Sequence, residues 1–186
     1  EAQGEAALYG PKLDFMTTDS IGREHQVATI QLDMNLPERF DLTCNNEKGE
    51  KERIVMIHCA IMGSIERFSA VLIEHLAGNF PLWLSPVQVK ILPISEKQAK
   101  YAFDVYTTLK DIRVELDDSN ETLGKKIRQG KLEKIPYMLV IGEKEVNDNT
   151  VTLESRDDGK LGAISTEELL EKLTIEIKNK TSPTWR

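Results

Sequence analysis

A short apolar stretch pinned by two prolines, Phe80-Pro81-Leu82-Trp83-Leu84-Ser85-Pro86, divides this 186-residue chain into parts that follow different rules. Each proline removes a backbone donor and fixes φ, so neither a helix interior nor a central strand runs through the segment. Phe80, Leu82, Trp83 and Leu84 are positioned to anchor it to one side. A domain boundary is therefore expected here, giving domains over 1–84 and 85–186.

Before the junction the pattern is that of antiparallel strands. Leu8 to Thr17 reads as extended, with Pro11 at an edge, and Ser20-Ile21-Gly22 as a turn. Gln26 to Asp33 then alternates: Val27, Thr29 and Gln31 share one face, and Ala28, Ile30 and Leu32 the other. Such a strand belongs to a sheet with its back on a core and its front on a site. Leu36-Pro37 breaks the pattern, and Phe40 to Thr43 and Arg53 to His58 read as further strands, with Gly49 in the turn between them. From Gly63 the period changes. Ile65, Phe68, Leu72, Ile73 and Leu76 predict a helix, with Ser64 as N-cap and Gly78 as stop, packed against the sheet on most of its surface. Arg67 lies in its first turn, the helix end that favours anions.

After the junction the order is an α/β alternation, with strands expected over 88–92, 113–116, 137–141 and 151–154. Helices are expected over 96–109, 122–129 and 166–177, the last with Thr166 as N-cap. These describe a mixed sheet with helices on its faces. The fold class is thus a two-domain α+β / α/β protein.

Charge and composition narrow the function. The net charge of -7 argues against indiscriminate nucleic-acid coating. It is unevenly spread: residues 1–86 hold 13 acids and 7 bases, residues 87–186 hold 18 and 17. Within the second part Lys125, Lys126, Arg128, Lys131 and Lys134 cluster around a single acid, Glu133, a local potential suited to a positioned RNA contact. No apolar run approaches the roughly 20 residues that span a bilayer, so no membrane partner is expected. Cys44 and Cys59 cannot form a disulfide scaffold; with neither a signal segment nor an initiator Met, the expectation is a cytoplasmic chain that is part of something longer or processed. P-loop, Rossmann, His-Glu-x-x-His and Cys-x-x-Cys motifs are all missing from the sequence.

Particular runs of residues go further. Tyr9-Gly10-Pro11-Lys12-Leu13-Asp14-Phe15, Gln26-Val27-Ala28-Thr29-Ile30-Gln31-Leu32-Asp33, Leu36-Pro37-Glu38-Arg39-Phe40 and Val55-Met56-Ile57-His58 resemble the late catalytic domain of threonyl-tRNA synthetases. Gly63-Ser64-Ile65-Glu66-Arg67-Phe68 is similar to motif 3 of class II synthetases, and the run from Ile135 to Glu145 resembles their α/β anticodon-binding domain. The resemblance covers essentially the whole chain.

It implies a partial class II antiparallel sheet with its motif 3 helix, followed by an anticodon-binding domain. The implied activity is that of a threonine–tRNA ligase: ATP-dependent formation of threonyl-adenylate and transfer to tRNA-Thr, with ATP and Mg²⁺, one zinc ion per intact subunit, and a homodimer. Arg67 and Lys12 are the implied catalytic residues, with Arg67 also binding ATP. Tyr9, Gln26 and Gln31 bind substrate. His58 is a zinc ligand whose partners would precede Glu1, as would motifs 1 and 2, so the chain alone is expected to be inefficient at adenylation. The alternative is a non-catalytic module that binds tRNA or a partner protein.

In the second domain the resemblance marks Asn120, Arg128 and Glu145 at anticodon contacts, with Lys125, Lys126, Arg128 and Lys131 as backbone contacts. Plain structural readings stand beside these: the lysine cluster as a solvated helix face and Glu145 as a cap. Four positions depart from the family pattern. Cys59 replaces an Arg, implying loss of a charge beside the site. Ala28 lies where Gly is usual and His25 where Trp is common. Glu154 replaces an Arg for which Arg156 is a possible substitute.

Overall fold

The computed structural model describes residues 8–181. By internal contacts the chain separates into two compact units at Ala77–Gly78. The proline-pinned segment goes with the second unit because Leu82, 2% exposed, is part of that unit's core.

In the first unit β1 (Lys12–Thr18) and β2 (Glu24–Asp33) form an antiparallel hairpin. Its turn uses Gly22 at φ +83, the left-handed region that glycine enters without strain. β2 continues into a short helix, α1 (Asn35–Arg39), where a strand break was expected. Pro37 fits there because first-turn residues need no N–H partner. The strand expected over Phe40–Thr43 is displaced to β3 (Thr43–Asn45), which pairs with β4 (Lys51–Arg53) around Gly49. The strand expected over Arg53–His58 divides instead: Arg53 ends β4, and β5 (Met56–Ile61) joins the main sheet beside β2. The sheet order is β1-β2-β5, all antiparallel.

Helix α2 (Ile65–Leu76) starts at Ser64, whose hydroxyl accepts the Arg67 N–H. It stops at Ala77 and Gly78, both at positive φ. The expectation that α2 is packed on most of its surface fails, since none of its residues is buried. The side bearing Phe68, Val71, Leu72 and His75 lines a cleft with Thr17 and Val27, and Glu74 pairs with Arg23 at 2.8 Å. The apolar back of the sheet is bare too: Leu13, Phe15, Ile30, Leu32, Ile57 and Ile61 are all exposed.

The second unit has a five-stranded sheet in the order β10-β9-β8-β6-β7. β6 (Val89–Pro93), β7 (Val114–Leu116) and β8 (Tyr137–Ile141) are mutually parallel about β6, while β9 (Thr150–Ser155) and β10 (Gly159–Ser165) complete it antiparallel. Helices α3 (Ala99–Thr108), α4 (Leu123–Leu132), α5 (Glu143–Asp148) and α6 (Thr166–Asn179) follow the strand order. Val89, Ile91, Leu139, Ile141, Val151, Leu153, Leu169 and Leu173 form a closed core. α6 is capped by the Ser165 hydroxyl rather than by Thr166. Neither α5 nor β10 is anticipated by hydrophobic periodicity, because α5 is short and β10 carries two glycines.

Candidate functional site

Strand register brings the first unit's site together. Gln31 on β2 is paired with Lys12 on β1 and His58 on β5, and directly paired residues present side chains on the same face. Lys12, Gln31 and His58 therefore form one polar row across three strands. One step along, Asp14 pairs with Thr29 and extends the polar face. A bulge at Phe15/Met16 shifts the register so that Gln26 also reaches Asp14.

The resulting network is closely connected. Lys12 Nζ lies 2.7 Å from Asp14 Oδ2, and the Thr29 hydroxyl and Gln26 Nε2 donate to Asp14 Oδ1 at 2.8 and 2.7 Å. Gln26 also donates to Thr29 Oγ1. The Lys12 ammonium, followed by the Thr29 hydroxyl, holds the Asp14 carboxyl below its ordinary pKa. Gln31 differs: its Nε2 is buried and has no hydrogen-bond partner. A buried amide donor left unmatched costs free energy, so this group is suited to an acceptor on a bound molecule.

At the end of the row Asp33, fully buried, organises His58. Its Oδ2 lies 2.7 Å from His58 Nε2, and its Oδ1 accepts the N–H groups of Asn35 and Leu36, both at 2.9 Å. Burial pushes the Asp33 pKa up, but the His58 and backbone bonds outweigh it and the net shift is downward. In the tautomer that donates Nε2–H to this carboxylate, Nδ1 carries the lone pair a ligand would take, the arrangement that orients histidines for metals. Tyr9 lies beside this ring, centroids 6.4 Å apart. Among the described residues, no group of three or more His, Cys, Asp or Glu side chains could hold a metal ion.

Arg67 sits at the other end of the face. Its Nη2 donates to the Gln26 carbonyl at 2.9 Å, beyond the last β2–β5 pair at Ala28–Ile61. The strand positions to which His58 and Arg67 are tied, Gln31 and Gln26, are about 16 Å apart along β2 at roughly 3.3 Å per residue. Cys59 points to the opposite, apolar face with Ile57 and Ile61, so its replacement of an arginine leaves the charge of the polar face unchanged. Ala28 shares that apolar parity. Sequence reasoning missed Asp14, Thr29 and Asp33. The parity of Asp33 with Gln31 was available as a signal, but its bond to His58 depends on a long-range register.

In the second unit, the loop after β7 carries Asn120 and the first turn of α5, after β8, carries Glu145, both at the carboxyl ends of parallel strands, the edge that open α/β sheets use for ligands. Asn120 lines a cleft with Ile94, Ser95, Glu96 and Ala99. Glu145 behaves as a cap: Oε2 accepts the Gly142 N–H at 2.9 Å and Oε1 the Thr152 hydroxyl at 2.8 Å. Burial raises its pKa, yet these bonds leave it lowered overall. On α4, Lys125 is exposed and pairs with Glu121, while Arg128 is exposed with no ion pair among the described residues. Lys131 is bound to Glu154 at 2.8 Å. Lys126, expected to contact RNA backbone, is instead buried, 4% exposed. Arg156 does not replace the arginine missing at Glu154, because its Nη1 donates to the Phe80 and Lys134 carbonyls and its Nη2 pairs with Asp157.

Comparison with known proteins matches residues 2–76 to the tRNA synthetase class II core domain (G, H, P, S and T) and residues 88–176 to the anticodon binding domain. The threonine–tRNA ligase of Caldanaerobacter subterraneus subsp. tengcongensis is 56% identical over 180 residues, covering 96% of this chain and 28% of that protein. The Acetivibrio thermocellus ligase is 57% identical over the same length, again covering 96% and 28%. The crystal structure of the RNA binding domain of threonyl-tRNA synthetase from Cryptosporidium parvum Iowa II superposes with a TM-score of 0.85 at 44% identity, covering 92% of this chain and 44% of that one. The chain thus spans under a third of the length of these curated relatives. Among the described residues, no helix is long and apolar enough to cross a membrane.

Proposed function

The chain belongs to the threonyl-tRNA synthetase family, and from that premise we propose that it supplies one wall of a threonine-activating site together with an anticodon-binding domain. The activity is that of a threonine–tRNA ligase, using ATP with Mg²⁺ and charging tRNA-Thr. In this reading the unit that ends at Ala77 belongs to the catalytic domain of a homodimeric cytoplasmic enzyme and the unit from Gly78 onward to the tRNA-binding part. The observation that carries it is the row Lys12–Gln31–His58, with Asp33 behind the imidazole and Arg67 of α2 reaching the Gln26 carbonyl near the other end of β2.

The chemistry follows from those groups. Threonine is a small zwitterion with a hydroxyl, and a site that fills every polar position rejects valine, which lacks that hydroxyl. The Gln31 amide offers an unmatched donor, and Tyr9 closes the site beside His58. Zinc bound at His58 Nδ1, with further ligands from beyond this chain, would supply a Lewis acid for the amino and hydroxyl groups. Arg67, on the first turn of α2 and beside the Gln26 carbonyl, is placed to neutralise phosphate charge as the threonine carboxylate attacks the α-phosphate. Lys12, tied to Asp14, holds the other side of the polar face. Catalysis by these residues is positioning and charge neutralisation, with no protein nucleophile. Asn120, Lys125, Arg128 and Glu145 are proposed to meet tRNA, with Glu145 presenting its turn rather than a free carboxylate.

The test replaces the matching segment of the Acetivibrio thermocellus ligase with this chain and measures threonine-dependent ATP–pyrophosphate exchange. The chimera is expected to be active, and His58→Ala or Arg67→Ala to lower the rate by at least about 100-fold. The 186-residue chain alone is expected to show no exchange. A chimera indifferent to both substitutions would remove the proposed site.

A further inference from the structure

A basic run on a helix is ordinarily taken as a set of phosphate contacts, and Lys126 departs from that pattern. It is 4% exposed, while its neighbour Lys125 is fully at the surface and paired with Glu121. A buried ammonium needs compensating acceptors, and Lys126 has them in an informative place. Its Nζ donates to the carbonyl of Asp117 at 2.9 Å and to that of Pro93 at 3.3 Å, with the Asp117 carboxylate 3.8 Å away. Pro93 ends β6 and Asp117 directly follows β7, so one cation holds the carboxyl ends of two adjacent parallel strands.

The connection continues outward. Asp117 Oδ1 accepts the Ser119 N–H at 3.1 Å and its hydroxyl at 2.5 Å, which folds the loop immediately before Asn120. Across the cleft stand Ser95, Glu96 and Ala99, with Lys126 in its lining. The hydrogen bonds of Gln98 to the Ser95 N–H and hydroxyl fix that opposite wall. Both walls are therefore set before any ligand arrives, and the inner wall depends on Lys126.

We propose that Lys126 is a positioning residue for RNA reading: it fastens the Asp117–Asn120 loop to the end of β6, so that Asn120 meets an anticodon base in a preset geometry, and it does not itself touch RNA. This rests on the reading of the second unit as anticodon-binding. A phosphate-binding lysine adds about one charge to the salt dependence of binding, whereas a positioning lysine changes affinity and base discrimination at constant salt slope.

The experiment uses the full 186-residue chain and fluorescence anisotropy with two probes. One is an anticodon stem–loop of tRNA-Thr; the other is the same stem–loop with one anticodon base replaced. For Lys126→Met the expected result is a loss of affinity for the first probe of about tenfold and a discrimination ratio near one, with an unchanged salt slope. Asn120→Ala added to that variant is expected to cost less than about twofold more, since the two residues act as one unit. Ser119→Ala, which leaves α4 and its lysine in place, is expected to lower discrimination about threefold.

A salt slope reduced by about one charge in Lys126→Met would show a phosphate contact and overturn the proposal. So would a folded Lys126→Met chain that discriminates as well as wild type. If circular dichroism shows that Lys126→Met does not fold, Ser119→Ala decides alone, and unaltered discrimination there counts against the positioning role. Wild-type chain that binds both probes equally would instead sink the anticodon-binding reading, and the proposal with it.

Discussion

The two units solve the burial problem to different degrees. In the second, both faces of a five-stranded sheet are used, and Val89, Ile91, Leu139, Ile141, Val151, Leu169 and Leu173 are completely removed from solvent. In the first, the three-stranded sheet has one polar face and one bare apolar face, where Ile57 and Ile61 remain 63% and 74% exposed. Since apolar burial is the main favourable term in folding, the second unit carries its own stability, whereas the first has left much of its own unused. An uncovered apolar face of this kind marks a surface that another element covers. The contrast agrees with a chain spanning 28% of its curated relatives, where a class II core is matched only over residues 2–76.

The largest test of that contrast is a pair of truncations. Leu139→Ala in the second unit is expected to cost about 3–4 kcal/mol, through lost burial plus an unfilled cavity, read as a lower urea midpoint. Ile57→Ala in the first is expected to cost under about 1 kcal/mol, because the side chain is already largely hydrated. Equal losses would mean that the bare face is covered in solution.

A pH series sharpens the comparison from the other side. Glu176 on α6 is 6% exposed and accepts the Tyr137 hydroxyl at 3.0 Å. Burial pushes its carboxyl from 4.5 up to about 7; the Tyr137 bond and Arg156 oppose this, and Asp157 adds to it. The folded state therefore keeps its proton where the unfolded chain has lost it. Stability from this group is complete below about 4.5, falls as pH rises toward 7 and levels off beyond, a loss of up to about 3 kcal/mol. Urea midpoints of the second unit should fall over that window, and Glu176→Gln, which keeps an acceptor but cannot ionise, should flatten the curve. An unchanged slope in the variant would assign the pH dependence elsewhere.

The smallest effect is local to the first unit. Asp33→Ala removes the acceptor of the Asn35 and Leu36 N–H groups and the partner of His58. Faster hydrogen exchange at those two amides is expected, corresponding to about 1–2 kcal/mol of local stability, with the second unit unaffected. Exchange changes that spread past Gly78 would show the two units to be more tightly coupled than their separate cores imply.

Much of this was legible in the residues. The alternation of Gln26 to Asp33 located the polar face, and Gly78 marked the end of α2 to within a residue, the αL cap itself being Ala77. What alternation cannot tell is whether anything lies against Ala28, Ile30 and Leu32, because period-two patterning specifies a face and not its cover. The same limit explains Lys126: its apolar stem and charged head look like those of Lys125 in a sequence, and only the closure of β6, β7 and α4 takes one indoors and leaves the other outside. The Phe40–Thr43 segment is not a strand because α1 takes its backbone bonds: the N–H groups of Phe40, Asp41 and Leu42 donate back to the Leu36, Glu38 and Pro37 carbonyls. Glu145 read equally well as RNA contact or cap until Gly142 and Thr152 were seen to take both its oxygens.

Cys59 lies between Ile57 and Ile61 on the uncovered side of the first sheet, open to solvent. A polarity-sensitive dye attached there would sit amid oily neighbours without disturbing Lys12, Gln31 or His58 on the reverse side. Its emission would then announce the moment that surface is occluded, turning an accident of substitution into a built-in gauge of assembly.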